Sequence, residues 1–191
     1  RPAPWDQYIQ GDKSALSVNQ KKGGVLFYGK ARCVVCHGGQ EFSDFKFHGL
    51  SVPQQRIGKH GPYLDYGRAS ATGQSDSRYM FRTPPLRNVE KTGPWAHNGI
   101  FTDLKEVVEH HVNPIPLLYK AQQADPAEKM HAGNLLGSRS AILAEIAPLT
   151  SQEIELLISF LYSLSSETII DDSTATPTSI PSGDASFINS N

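Results

Sequence analysis

The 191-residue chain contains only two cysteines, and they stand together as Cys33-Val34-Val35-Cys36-His37. Two cysteines cannot build a disulfide framework, but they can build one site. The C-x-x-C-H spacing is the attachment signal for c-type haem. Two thiols three positions apart at a helical turn reach the two vinyl groups of one porphyrin as thioethers. The next residue, His37, then places an imidazole nitrogen under the iron. The covalent link holds the haem even where little protein surrounds it. Three other readings compete: a redox dithiol, a disulfide and half a zinc site. A redox C-x-x-C sits at a helix N-terminus in a βαβ unit, and no such pattern flanks this one. A structural zinc site takes four ligands, and no second cysteine pair exists. The motif therefore predicts one covalent haem c, held by Cys33 and Cys36 with His37 as its proximal ligand.

The elements that would position this motif are helical. Ser17 is placed to cap a helix over 19–28, with Gly29 as its stop. Residues 38–80 carry many Gly, Ser and Asp and no sustained period, so they read as a long loop with one short hairpin around Phe45-Lys46-Phe47. A loop of that length is uncommon unless functional, and it makes sense if it wraps something other than protein. Residues 81–101 are rich in Pro, Gly and aromatics, as ordered loops are. Thr102 is the expected cap of a helix over 103–112 whose Leu104, Val107, Val108 and His111 share one face. Asn113-Pro114 ends it. A helix is expected within 120–132 and a weaker one around 138–146. The clearest helix starts at a capping box of Thr150 and Glu153, and Ile154, Leu157, Ile158, Leu161 and Leu164 follow at helical spacing. Residues 1–12 read as polar and irregular.

Composition narrows the function. Hydrophobic residues make up 38% of the chain, which is ordinary for a globular protein. Eighteen Lys and Arg stand against nineteen Asp and Glu, for a net charge of −1. No basic excess exists to hold a phosphate backbone, so nucleic-acid binding is not expected. No apolar run approaches the roughly 20 residues of a membrane-spanning helix. Arg1-Pro2-Ala3-Pro4 does not read as a native start, so a mature or cleaved product is expected.

Three runs sharpen the reading: Phe81-Arg82-Thr83-Pro84-Pro85-Leu86-Arg87-Asn88-Val89, Thr92-Gly93-Pro94-Trp95-Ala96-His97-Asn98-Gly99, and Leu104-Lys105-Glu106-Val107-Val108-Glu109-His110-His111. Together with the haem motif and Pro177-Thr178-Ser179-Ile180-Pro181-Ser182-Gly183, they resemble the C-terminal haem domain of the bacterial dihaem cytochrome c peroxidases and MauG proteins. That family carries runs of the type F-R-T-P-S-L-R-N-V, T-A-P-Y-x-H-D-G and L-x-E-V-V. The resemblance covers roughly residues 5–183 and is weak between 112 and 147.

The resemblance implies that Arg82 and His97 lie close to the haem, with Arg82 able to pair with a propionate through its planar fork. It implies that Thr92 and Pro94 fall where backbone carbonyls help bind a structural calcium ion between two haem domains; hard oxygen ligands suit calcium. The family has two haems, whereas this chain has one motif. The peroxide-binding haem of the family is the N-terminal one, and the C-terminal haem relays electrons. The sixth ligand also differs. The peroxidases place a Met there and MauG a Tyr, whereas this chain has His111, with His110 pointing about 100° away. Met80 and Met130 are weaker candidates. Axial Met raises a haem potential and bis-His ligation lowers it. Glu106 and Glu109 read as solvent-facing, and His48, His60 and His131 as surface residues. Trp95 and Trp5 read as packing aromatics.

The expected fold is all-α and cytochrome c-like. It has a helix before the haem motif, a helix carrying His111 and a C-terminal helix over 151–164, with long loops closing over the haem. Residues 1–167 form the cytochrome domain and 168–191 an extended Ser/Thr/Pro-rich tail. The expected function is electron transfer through one haem to a second, peroxide-reducing haem on a missing domain or partner chain. A stand-alone monohaem electron carrier and a single open-site haem that reacts with peroxide are the alternatives. The expected partners are a small redox-protein donor, a second haem domain or chain, and a second copy in a homodimer. The expected location is periplasmic or otherwise extracytoplasmic, where c-type haem is normally matured.

Overall fold

A computed structural model describes residues 2–54, 64–125 and 127–166. The tail over 168–191 and His60 lie outside the described residues. The chain folds as an all-α domain with long loops and one two-stranded ribbon. The helices are α1 Pro4–Ile9, α2 Val18–Tyr28, α3 Ala69–Thr72, α4 Leu104–Val112, α5 Ile115–Ala124, α6 Glu128–Gly137 and α7 Ser151–Tyr162, and the strands are β1 Phe47–Gly49 and β2 Met80–Arg82. No helix among the described residues is long and apolar enough to cross a membrane.

The helices that frame the site start where capping chemistry puts them. Ser17 Oγ accepts from the Gln20 amide while the Gln20 side chain accepts from the Ser17 amide, and Thr150 and Glu153 repeat this reciprocal pair at α7. Helix α2 crosses α7 with backbones nearly touching, because a β-carbon at Gly23 would lie 1.9 Å from the Leu156 carbonyl oxygen. Only glycine permits that approach. Phe27, Phe42, Leu157, Phe160, Leu161 and Leu164 fill the core behind this crossing. Trp5 joins it edge-on to Phe160, 5.3 Å between ring centroids.

Several elements depart from expectation. Residues 4–9 are helical, with Pro4 in the first turn and the Asp6 carboxylate accepting from the Ala3 amide. Six residues are too few for a period to show. The cap of α4 is Asp103, whose carboxylate accepts from the Lys105 amide at 2.9 Å, rather than Thr102. The single helix expected within 120–132 is two, α5 and α6. Asp125 between them is extended (φ −145°, ψ 112°), the conformation that the following proline favours. Residues 141–145 make a 3₁₀ turn. No hairpin forms at 45–47, because Phe45 has φ +54°. Instead β1 pairs antiparallel with distant β2, in the register Phe47↔Arg82, His48↔Phe81 and Gly49↔Met80.

Candidate haem site

The Cys33–Val35 turn follows α2 after the left-handed Arg32 (φ 55°), and it forms one wall of a cavity of about 680 Å³. Cys33, Cys36 and His37 line that wall. Leu104, Val107, Val108 and His111 of α4 line another, with Leu157 and Leu161 of α7 and Ile142, Leu143 and Ile146 of the 3₁₀ turn that precedes α7. The 81–97 segment supplies Phe81, Arg82, Thr92, Pro94, Trp95 and His97. The walls are mainly apolar, and the volume lies in the ~300–1,000 Å³ range of cofactor sites.

Both thiols are free. Burial pushes the Cys33 thiol up to about 12 and, with the Asp44 carboxylate, raises Cys36. A redox-active dithiol needs a lowered thiol pKa, so this pair is not set up as one.

The imidazoles are arranged as neutral ligands. His37 Nδ1 donates to the Phe42 carbonyl at 2.9 Å, and His111 Nδ1 donates to the Val107 carbonyl at 2.7 Å. A carbonyl only accepts, so each Nδ1 carries the proton and each Nε2 keeps its lone pair. Metal-bound histidines are commonly held by this kind of carbonyl contact. Burial lowers the pKa of His37 and lowers that of His111 to about 4, with His37 contributing. His111 is half-buried and lines the cavity.

Its neighbour His110 points elsewhere. It is 3% exposed, donates through Nε2 to the Leu50 carbonyl at 2.9 Å and packs against Phe101. Neither methionine lines the cavity: Met80 sits on β2, and Met130 is 77% exposed. Glu106 and Glu109 are exposed, and no carboxylate among the described residues lines the cavity.

The remaining candidates lie around the rim. Arg82 rests its guanidinium carbon 4.6 Å from the Phe45 ring centroid. His97 stacks on Phe81, 3.6 Å between centroids and 10° from parallel, and burial lowers its pKa. Trp95 packs against the core and donates through Nε1 to the Val89 carbonyl at 2.9 Å.

His48 corrects the surface reading: it is half-buried in the cavity wall. Its Nε2 lies 3.0 Å from Asp44 Oδ2 and its Nδ1 3.4 Å from Ser140 Oγ. The polar residues around it gave no inward signal, because β2 and the 138–140 segment that turn it inward are distant in sequence. Cys36, Asp44 and His48 also bring their donor atoms within 4.8 Å of one another.

These residues fit a c-type haem: two thiols with a histidine on one wall, a second neutral histidine on another, and apolar surfaces between. An all-α domain built around such a site is a cytochrome c-like haem domain. The comparisons give its family. The chain is 32% identical to the cytochrome-c peroxidase IdrP1 of Pseudomonas sp. (strain SCT), over 91% of the chain and 47% of that protein. It is 36% identical to the methylamine utilization protein MauG of Methylorubrum extorquens, over 58% of the chain and 30% of that protein. It is 37% identical to the cytochrome c551 peroxidase of Pseudomonas aeruginosa, over 56% and 30%. A MauG-like protein associated with microbial copper homeostasis superposes with a TM-score of 0.65 at 27% identity, over 87% of this chain and 52% of that one. The dihaem peroxidase BthA of Burkholderia thailandensis shares the fold, with a TM-score of 0.59 at 20% identity over 87% and 46%. No family model matches the chain. The homologues of this chain are thus cytochrome-c peroxidases and MauG, matched over more than half of the chain, and the chain spans about half or less of the length of these relatives.

Proposed function

We propose that this chain is the electron-relaying, C-terminal-type haem domain of a dihaem cytochrome c peroxidase or MauG-like protein, with residues 1–167 as the domain. Cys33 and Cys36 would hold one haem covalently, and His37 and His111 would offer their imidazoles to its iron. The observation that carries this reading is the pair of neutral imidazoles lining one cavity beside the two thiols. The haem supplies one-electron redox chemistry when bound.

The chain's own residues do the rest. His37 and His111 present fixed tautomers, so little reorganises as an electron arrives or leaves. The apolar walls from α4 and α7 exclude water. Arg82, over the Phe45 ring, would pair with a propionate, and His97, held flat by Phe81, would pack beside the haem. Peroxide cleavage needs a proton-transfer group beside the reacting oxygens, and no described carboxylate lines this cavity. That favours relay over peroxide reduction at this site. The second, peroxide-reducing haem lies on another domain or chain. A small redox protein is the donor, a homodimer the assembly, and the periplasm the setting. The Thr92 and Pro94 carbonyls contribute to a calcium site shared with the second domain.

The test mixes the purified haem-loaded chain with hydrogen peroxide and a reduced small cytochrome. The expected result is no peroxide-dependent turnover by the chain alone, together with rapid electron exchange with the reduced donor. Sustained peroxide turnover by the chain alone would contradict the relay reading.

A further inference from the structure

The segment after α6 is fastened to two places that matter to the cavity. Arg139 Nη2 donates to the His111 carbonyl at 2.7 Å, and its Nη1 donates to the Leu50 carbonyl at 3.3 Å. Leu50 lines the cavity, and its carbonyl also accepts from His110 Nε2 at 2.9 Å. One planar guanidinium thus ties the end of α4 to the chain that leaves β1.

The His111 carbonyl is among the last four of α4, which have no partner within the helix. The amide one turn further on, that of Ile115, is already taken by the Asn113 side chain. Arg139 is therefore the partner that holds this end of the helix. The junction is itself rigid. Ser140 and Gly49 exchange hydrogen bonds at 3.0 and 3.1 Å, and Ser51 Oγ donates to the Leu135 carbonyl at 2.9 Å. A β-carbon at Gly49 would lie 2.1 Å from the Ser138 carbonyl oxygen, so the two backbones meet directly. No carboxylate among the described residues pairs with Arg139, whereas Arg32 and Arg87 pair with Glu145 and Asp6. Its two carbonyl contacts are the hydrogen bonds this half-buried side chain makes.

We propose that Arg139 is a positioning residue for the sixth ligand: by holding the His111 carbonyl to Leu50, it keeps the His111 imidazole seated over the cavity. A planar fork holds two carbonyls at fixed angles, whereas a lysine ammonium on its flexible stem imposes no such angles. Loss of the fork frees the last turn of α4, and a ligand on a frayed turn spends part of its time away from its seat. The proposal rests on His111 being the sixth ligand.

The experiment compares ferric absorption and electron paramagnetic resonance spectra of the haem-loaded chain with those of Arg139→Met, Arg139→Lys and His111→Gly. His111→Gly is expected to be high-spin. Arg139→Met is expected to raise the high-spin fraction several-fold, Arg139→Lys to raise it less, and added imidazole to return both to low-spin. An unfolded chain with covalent haem would also take up imidazole, so the far-ultraviolet circular dichroism and thermal melt of each variant are read alongside; parent-like values with that return show an unseated ligand in a folded chain. If Arg139→Met does not fold, the rise in Arg139→Lys carries the test. Arg139 variants with the parent spectrum, alongside a high-spin His111→Gly, would overturn the role of Arg139 and leave the ligand assignment standing. A His111→Gly spectrum identical to the parent would overturn the ligand assignment and this proposal with it.

Discussion

His111 Nδ1 donates to the carbonyl of Val107, one helical turn back, at 2.7 Å. The contact fixes both the tautomer and the ring plane. Residue 111 shares the apolar face of Leu104, Val107 and Val108, which aims its ring at the cavity. A histidine placed this way, with its pKa lowered to about 4 by burial, stays neutral across the physiological range.

Removing that ring is expected to open the iron. The His111→Gly chain should show a high-spin ferric spectrum and bind added imidazole, azide or cyanide readily, read by absorption titration. A low-spin spectrum indifferent to these ligands would mean that another residue fills the sixth position.

Changing Cys33 and Cys36 together to Ala is expected to abolish covalent haem while leaving the helical framework. The check is a denaturing gel stained for haem. A band that still stains would refute the attachment site.

The crossing of α2 and α7 should tolerate no side chain at Gly23. Gly23→Ala puts a methyl group 1.9 Å from a backbone oxygen, so the helices must separate. The expected loss is about 1–3 kcal/mol or more, as for overpacked cores, read from the urea midpoint. An unchanged midpoint would show that the crossing can relax freely.

Glu128 gives a pH dependence. It is 4% exposed, and its Oε1 has no hydrogen-bond partner among the described residues. Burial raises its pKa from 4.5 to about 7, although its Oε2 accepts from the Gln54 amide. A carboxyl raised in the folded state contributes stability that is fully present below the unfolded value. That contribution is lost as the pH rises from about 4.5 through about 7. Glu128→Gln should remove this slope, so the variant gains on the parent between pH 5 and 8 (roughly the window set by the two pKa values). Parallel melting curves across that range would show that Glu128 does not titrate there.

How much of this was legible in the sequence depended on distance along the chain. The apolar period and capping box of α7 are local, and its start was readable to the residue. The face of α4 was readable for the same reason, which is why His111 rather than His110 lines the cavity. Helix α1 was too short to show a period, and its anchor, Trp5 on Phe160, is a long-range contact. The β1–β2 ribbon joins residues more than thirty apart, so nothing near Phe47 announced it. His48 and Arg139 were missed on the same ground: each is turned inward by partners distant in sequence. The pairing of Cys36 with Asp44 and His48 also emerges only from the folded loop.

The most direct test of the central claim is the absorption spectrum of the haem-loaded chain, ferric and then dithionite-reduced, extended into the near-infrared. Ligation by His37 and His111 predicts a sharp low-spin ferric spectrum with no methionine-to-iron charge-transfer band. A high-spin ferric spectrum would contradict the claim and place the chemistry at an open iron on this chain.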